Sequence, residues 1–369
     1  MTSRSAGTTI GVAAPMETDF GAQGGDPSRL ADGVRLDLST CVNRYGPPPA
    51  ALAVLGTIAP SDLQIHPYLA AAQVEEAYAE LLGVDPAELI AGRGTTEFIW
   101  AVARQMPRSS VLVPLPAYTD YLKAFPGRGF RGSRPSAVPS LRQVDEAMGR
   151  AGLVILSNPH NPSGACLDPD GLLTVAARNP HCVLVVDESY VDFFPDPAAA
   201  TVIGATTAPN VVALRSPSKF YGIASTRAGV AWCPDPDRLR DLLGERETWP
   251  VSGLDAAIAV ASLESRTWAE RARRLLVEDG LWLSYRLAAA GLDPIDHAVA
   301  VHYRCVLTDE PDALARRFAG NGLGVRPLGA AHGVEPGAVR ILAPRRDERA
   351  FVAKAIAATG GTGILEECG

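Results

Sequence analysis

Val183-Leu-Val-Val-Asp-Glu-Ser-Tyr190 is an apolar run that ends on a carboxylate. A strand of this kind, apolar on every residue, belongs in a parallel sheet covered on both faces. Similar short runs lie on either side of it: Val111 to Pro114, Val154 to Ser157, Val211 to Ser216 and, close behind, Ala228 to Cys233. Stretches of helical character separate several of them, including Leu141 to Arg150 and Pro169 to Arg178. Strand and helix in alternation predict an α/β fold with a mainly parallel sheet. In such sheets ligands collect at the carboxyl ends of the strands.

Further along, a long amphipathic stretch from Trp268 to Ala290 leads to strand-like pieces at Ala300 to Leu307 and Val339 to Leu342. The expected organisation is an N-terminal arm over 1–45, a large domain over 46–265, and a linking helix with a smaller C-terminal α/β domain over 266–369. The chain has 369 residues, 47% of them hydrophobic and 20% charged, with a formal net charge of −7. That charge leaves no basic footprint for nucleic acid or an anionic membrane, and no apolar run reaches bilayer length. Cysteines at 41, 166, 182, 233, 305 and 368 form no CxxC pair and no metal-ligand spacing, so no metal is expected and free thiols in a reducing compartment are. Residues 1 to 30 lack the basic start and apolar stretch of a secretory signal, which points to the cytoplasm.

Chemistry-bearing residues gather where the strand-like runs end. Arg215-Ser-Pro-Ser-Lys219 sets one lysine beside two hydroxyls; an amine attacks a carbonyl only when deprotonated, and partial burial lowers its pKa toward that state. Asp187 closes its own strand, and a buried carboxylate needs a cationic partner such as a protonated pyridine nitrogen. Tyr190 follows three residues later, within reach of an oxygen on the same ring. Ser157-Asn-Pro-His-Asn-Pro-Ser-Gly164 has two Asn-Pro steps that stiffen the loop carrying Asn161. Ala91-Gly-Arg-Gly-Thr-Thr-Glu-Phe98 enters a helix at Gly94, where free N–H groups and the hydroxyls of Thr95 and Thr96 can cradle a phosphate, with Arg227 as its counter-charge. Arg340, alone in the apolar run Ala338 to Leu342, calls for an anion. Taken singly, each feature also reads as ordinary structure: a surface lysine, a helix-capping aspartate, a salt bridge. Together they fit one ligand with aldehyde, pyridine and phosphate parts.

With these motifs the chain resembles the class I/II aminotransferases of the fold type I pyridoxal 5'-phosphate enzymes, specifically the branch of histidinol-phosphate aminotransferases and threonine-phosphate decarboxylases. The resemblance runs from about residue 35 to about residue 355. It implies a Schiff base on Lys219, Asp187 on the pyridine nitrogen, Asn161 and Tyr190 on the ring oxygen, and Thr95, Ser216, Ser218 and Arg227 on the phosphate. Pro114-Leu-Pro-Ala-Tyr-Thr-Asp-Tyr121 looks like the segment whose aromatic residue, here Tyr118, stacks on the cofactor ring. Arg340 matches the arginine that grips the substrate carboxylate. Leu36 to Pro48 looks like the substrate loop and brings Asn43 and Arg44 to the substrate. In that loop Cys41 and Arg44 stand where the branch usually has Asn and Pro. His66 replaces the Tyr that reaches the phosphate of the neighbouring subunit, with Tyr68 as a competitor for the role. Arg44 is expected either to bind a second anionic group or to be solvated.

The resemblance implies a homodimer acting on an amino acid. Transamination is the leading expectation. α-Decarboxylation or β/γ-elimination or replacement on the same fold is the alternative, and a non-catalytic cofactor-binding module the more distant one.

Overall fold

The structure, a computed structural model, describes residues 31–131, 139–295 and 301–360; the expectations for residues 1–30 and for Cys368 lie outside them. The described strands, in chain order, are Leu36–Asp37 (β1), Leu89–Gly92 (β2), Val111–Pro114 (β3), Gly129–Phe130 (β4), Leu153–Ser157 (β5), Val183–Asp187 (β6), Val211–Arg215 (β7), Gly229–Trp232 (β8), Tyr303–Leu307 (β9), Leu323–Gly324 (β10), Arg326–Leu328 (β11) and Ala338–Leu342 (β12). Seven of them form one sheet in the order β2-β8-β7-β6-β5-β3-β4. From β7 to β4 every pairing is parallel, while β8 runs antiparallel to both its neighbours. The α/β, mainly parallel architecture read from the sequence is the one observed.

Every residue of β5, β6 and β7 is buried, as the apolar runs require. Alternate residues point to opposite faces. Leu153, Ile155, Val183, Val185, Val212 and Leu214 join one core cluster with Phe98 and Tyr121, whereas Val154, Leu156, Leu184, Val186, Val211 and Ala213 join the other. Each such side chain contributes about 1.5–3 kcal/mol on burial, so the register of these strands is strongly held. Asp187 shares the parity of Val183 and Val185 and therefore reaches the sheet end on the Tyr121 side.

The strand directions explain why distant segments meet. Two reversals at β8 return β2 to the direction of β5, β6 and β7, so the carboxyl ends of all four lie at one edge, together with the start of β8. The helix Thr95–Gln105 begins there after β2, and Arg227 arrives there two residues before β8.

A three-stranded antiparallel sheet, β11-β12-β9, follows the long helix Arg266–Ala289. β1 pairs in parallel with β10, and the Leu342 amide donates to the Leu38 carbonyl at 3.0 Å. Residues 36–45 thus leave the edge of the smaller sheet and run toward Lys219. No helix among the described residues is long and apolar enough to cross a membrane.

Candidate active site

A cleft of about 170 Å³ opens at this edge, and Thr95, Thr96, Tyr118, Asn161, Asp187, Tyr190, Ser216, Ser218, Lys219, Arg227 and Arg340 all line it. Gly94 lies against the same place: its φ is +73°, and a Cβ there would sit 2.9 Å from Arg227 Nη2. Only a residue without a side chain keeps both the left-handed backbone and the guanidinium in position. As the N-cap, Gly94 offers no side-chain acceptor, so the first N–H groups of helix Thr95–Gln105 stay free for an anion. Ser216 and Ser218 are hydrogen-bonded to each other at 2.9 Å, and Arg227 is exposed, with Nη2 donating to the Arg93 carbonyl.

Asp187 is 3% exposed at the end of β6. Its carboxylate accepts from Tyr121 Oη at 2.8 Å and from Ser189 N and Oγ at 3.0 and 2.6 Å. Burial still pushes its pKa up, against these donors and the Lys219 charge. This is a carboxylate held by neutral donors and set to receive a cation. For Lys219 burial acts the other way and lowers the pKa; the guanidiniums of Arg340 and Arg227 add to that, while Cys41 and Asp187 oppose it. Lowering favours the neutral amine that attacks a carbonyl.

Arg340 donates through Nη1 to Asn161 Oδ1 at 2.6 Å and through Nη2 to the Ser39 carbonyl at 3.1 Å, with its guanidinium 5.6 Å from the Tyr303 ring centroid. The first of these bonds leaves the Asn161 amide NH2 to donate into the cleft. Tyr118 donates to Asp120 Oδ2 at 2.8 Å and packs edge-on against Tyr121. Tyr190 is buried and edge-on to Tyr303.

Three sequence-predicted residues stand apart from the cleft lining. Asn43 donates through N and Nδ2 to the carbonyls of Lys219 and Phe220, at 2.9 and 2.8 Å. Arg44 is neither solvated nor aimed at a ligand. Its fork is closed on Glu348, with Nε to Oε2 at 2.9 Å and Nη2 to Oε1, and its Nη1 donates to the Asp37 carbonyl. The reason is local: Glu348 approaches from the start of the C-terminal helix and meets the whole fork. His66 is exposed and stacks on Trp249 at 4.0 Å, with Tyr68 edge-on to the same indole.

Sequence reasoning missed Tyr121 and Ser189, whose signal was the need of any buried carboxylate for donors. It also missed Arg326 and His332, which line the cleft beside Arg340. Arg326 is the cross-strand partner of Arg340 in the β11–β12 pair, so both side chains leave the same face. Burial and the Arg340 charge bring the Arg326 pKa down to about 10.

Sheet order, the lysine at the end of β7 and the buried carboxylate at the end of β6 define a fold type I pyridoxal-phosphate enzyme. The family model for aminotransferase class I and II matches residues 35–344, and the chain belongs to that family. It is 30% identical over 311 residues to the histidinol-phosphate aminotransferase of Rhodospirillum centenum, covering 80% of this chain and 84% of that one. To the enzyme of the same name from Aromatoleum aromaticum it is 29% identical over 290 residues, 74% of this chain and 78% of the relative. Among solved structures, histidinol-phosphate aminotransferase from Sinorhizobium meliloti in complex with pyridoxal-5'-phosphate superposes with a TM-score of 0.77 at 22% identity, over 89% of this chain and 91% of that one. Thermus thermophilus aspartate aminotransferase with maleate gives 0.70 at 20% identity, over 89% and 92%. Of the reactions open to the sequence, family membership selects amino transfer with pyridoxal phosphate.

Proposed function

We propose that this aminotransferase holds pyridoxal phosphate on Lys219 and uses the same lysine to move the proton that amino transfer requires. The observation that carries the reading is the meeting in one cleft of Asp187 at the end of β6, Lys219 beyond β7, Arg227 before β8 and Arg340 on β12. The donor set fits the cofactor part by part. Asp187 suits the protonated pyridine nitrogen, the Asn161 NH2 and Tyr190 the ring oxygen, and the Tyr118 ring the flat face. The phosphate falls to Gly94, Thr95, Thr96, Ser216, Ser218 and Arg227. When bound, the cofactor supplies an electron sink for the charge left at the substrate α-carbon. Lys219, its pKa lowered by burial, is the base for the α-proton and returns it to the other side of the transferred nitrogen. Asp187, with Tyr121 and Ser189 donating to its carboxylate, is the partner that keeps the ring nitrogen protonated.

The substrate is an amine with an anionic group taken by Arg340, and Arg326 on the facing strand extends that positive wall. Relatives named for histidinol phosphate make a phosphorylated amino alcohol the first substrate to try.

The working unit we infer is a cytoplasmic homodimer, with residues 1–45, 46–265 and 266–369 as arm and loop, large domain, and linking helix with small domain. Leu55, Leu63, Ile65, Tyr68 and Leu69 are each more than half exposed beside His66 and Trp249. An apolar surface of this extent suits a second copy, whose His66 or Tyr68 would arrive at the exposed Arg227 end.

The test loads the purified protein with pyridoxal phosphate and offers histidinol phosphate, histidinol and aspartate with 2-oxoglutarate. A visible absorbance band is expected in the wild type and not in Lys219→Ala. The two anionic donors should outpace histidinol by at least ~10-fold, the worth of one charge-assisted contact. A band that survives in Lys219→Ala, or equal rates on all three donors, would sink the reading.

A further inference from the structure

We propose that Asn43, Arg44 and Tyr45 form a strap that sets the backbone position of Lys219 from the long helix and the start of the C-terminal helix, with Arg44 and Glu348 as a positioning pair. At one end, Asn43 N and Nδ2 hold the carbonyls of Lys219 and Phe220 at 2.9 and 2.8 Å, and Asn43 Oδ1 accepts from Tyr45 N at 2.9 Å. The contact is backbone to backbone: a Cβ on Gly222, which has φ +69°, would lie 3.0 Å from Gly46 C and 3.2 Å from the Asn43 carbonyl. Any side chain at Gly222 would push the strap off the lysine loop.

At the other end, Arg44 is bidentate to Glu348, and Glu348 Oε2 also accepts from Arg345 N at 2.9 Å. Tyr45 donates to Asp279 Oδ2 at 2.6 Å, while Arg349 Nη2 holds Asp279 Oδ1 at 2.6 Å. The strap therefore ends on two carboxylates, one from the long helix and one from the start of the C-terminal helix. Asp279 is 1% exposed and the Arg44–Glu348 side chains 23% and 13%, so the anchors are shielded from solvent well enough to hold a geometry. Between its ends the same stretch carries Thr40 and Cys41 into the cleft, the Cys41 carbonyl accepting from His302 Nε2 at 3.0 Å. Arg44 acts on the reaction through Asn43 and the Lys219 backbone and touches no reacting atom.

The proposal rests on Lys219 being the cofactor lysine, which the Lys219→Ala absorbance test addresses separately. Its own test uses Arg44→Met, Glu348→Gln and the conservative Arg44→Lys. The first readout is amide hydrogen exchange at Asn43 in the cofactor-free protein, where that amide donates to the Lys219 carbonyl. Arg44→Met and Glu348→Gln should speed exchange there ~10-fold, with Arg44→Lys in between. The second is the split between kcat and KM in the loaded enzyme. A displaced lysine lowers kcat by ~10-fold or more while KM stays within ~3-fold, because Arg340 keeps its bond to Asn161. If Arg44→Met or Glu348→Gln fails to fold, Arg44→Lys keeps the charge and is read by the same two measurements. Wild-type exchange at Asn43, or a change confined to KM, overturns the proposal.

Discussion

Two regions meet at Lys219, and they are built differently. On the cofactor side, each functional group stands on or within four residues of the end of a strand in the large sheet, Asp187 as the last residue of β6 and Arg227 two residues before β8, and strand register places it. On the substrate side, residues 37–45 belong to no sheet beyond the two-residue β1, and hydrogen bonds to other elements place them: Arg340 to the Ser39 carbonyl, His302 to the Cys41 carbonyl, Asn43 to Lys219. The first region is rigid because its positions are consequences of the core. The second is positioned by polar contacts worth about 0.5–1.5 kcal/mol each, more where a charge takes part, and so depends on the smaller sheet staying where it is.

The largest effect we expect belongs to the rigid region. Asp187→Asn keeps size and burial and removes the charge, so the Tyr121 and Ser189 donors lose their anion and the ring nitrogen its partner. kcat/KM should fall ~10³-fold, the scale on which preorganised charge acts, with little change in thermal stability. A loss below ~10-fold would mean that strand-end placement does not make Asp187 part of the chemistry, and the contrast between the regions would collapse.

A smaller effect is expected where the regions join. Arg340 lies on a regular strand, β12, yet its guanidinium divides between Asn161 on the large sheet's side and Ser39 on the loop. Arg340→Lys retains the charge and loses the fork. KM for the anionic donor should rise ~10- to 100-fold, matching about 1.5–3 kcal/mol for a charge-assisted bond, with kcat reduced far less. Equal losses in kcat and KM would place Arg340 with the cofactor instead of the substrate.

Legibility followed the same division. Apolar runs are local features, so β3, β6 and the helix Pro169–Arg178 have the bounds their sequences predict, and Asp187 and Lys219 came with them. β2 and β4 were not read, since Leu-Ile-Ala-Gly lacks the β-branched run of β3 and passes directly into a glycine turn, and Gly-Phe is two residues long. Arg44 was misread for a different reason. A lone arginine in a loop announces a need for an anion, but Glu348 is 304 residues away and only the tertiary fold shows that it meets that need. Arg326 carried no signal by itself; its partnership with Arg340 is a matter of β-strand register. The buried pairing of Arg215 with Glu188 and Asp192 belongs to the same class: the residue is quoted in the lysine motif, and its partners lie after β6.

The smallest effect is a dependence on pH, and it separates the regions by stability instead of rate. His302 is 1% exposed beneath the substrate loop, stacked on Phe193 at 3.8 Å and donating Nε2–H to the Cys41 carbonyl. Burial, with Arg304, Arg340 and Lys219 nearby, brings its pKa down to about 3 from an ordinary 6.5, against the carbonyl's pull. His332, in the cleft wall, is brought down to about 4 by burial and by the Arg326 and Arg340 charges. In both cases the unfolded chain takes up a proton that the folded one refuses. Stability is therefore full above pH 6.5 and is lost as pH falls from there toward 4 and 3, at up to about 1.4 kcal/mol per pH unit for each histidine. His302→Phe keeps the stack on Phe193 and removes the titration. It gives up the bond to Cys41, so the variant should be about 1 kcal/mol less stable at pH 8, yet lose less on going to pH 5 than the wild type does. Urea unfolding at the two pH values reads both quantities. A variant that loses as much stability between pH 8 and pH 5 as the wild type would show that burial leaves the His302 pKa where the unfolded chain has it, and one that loses more would show that His302 is protonated in the fold and holds the loop by a charged hydrogen bond.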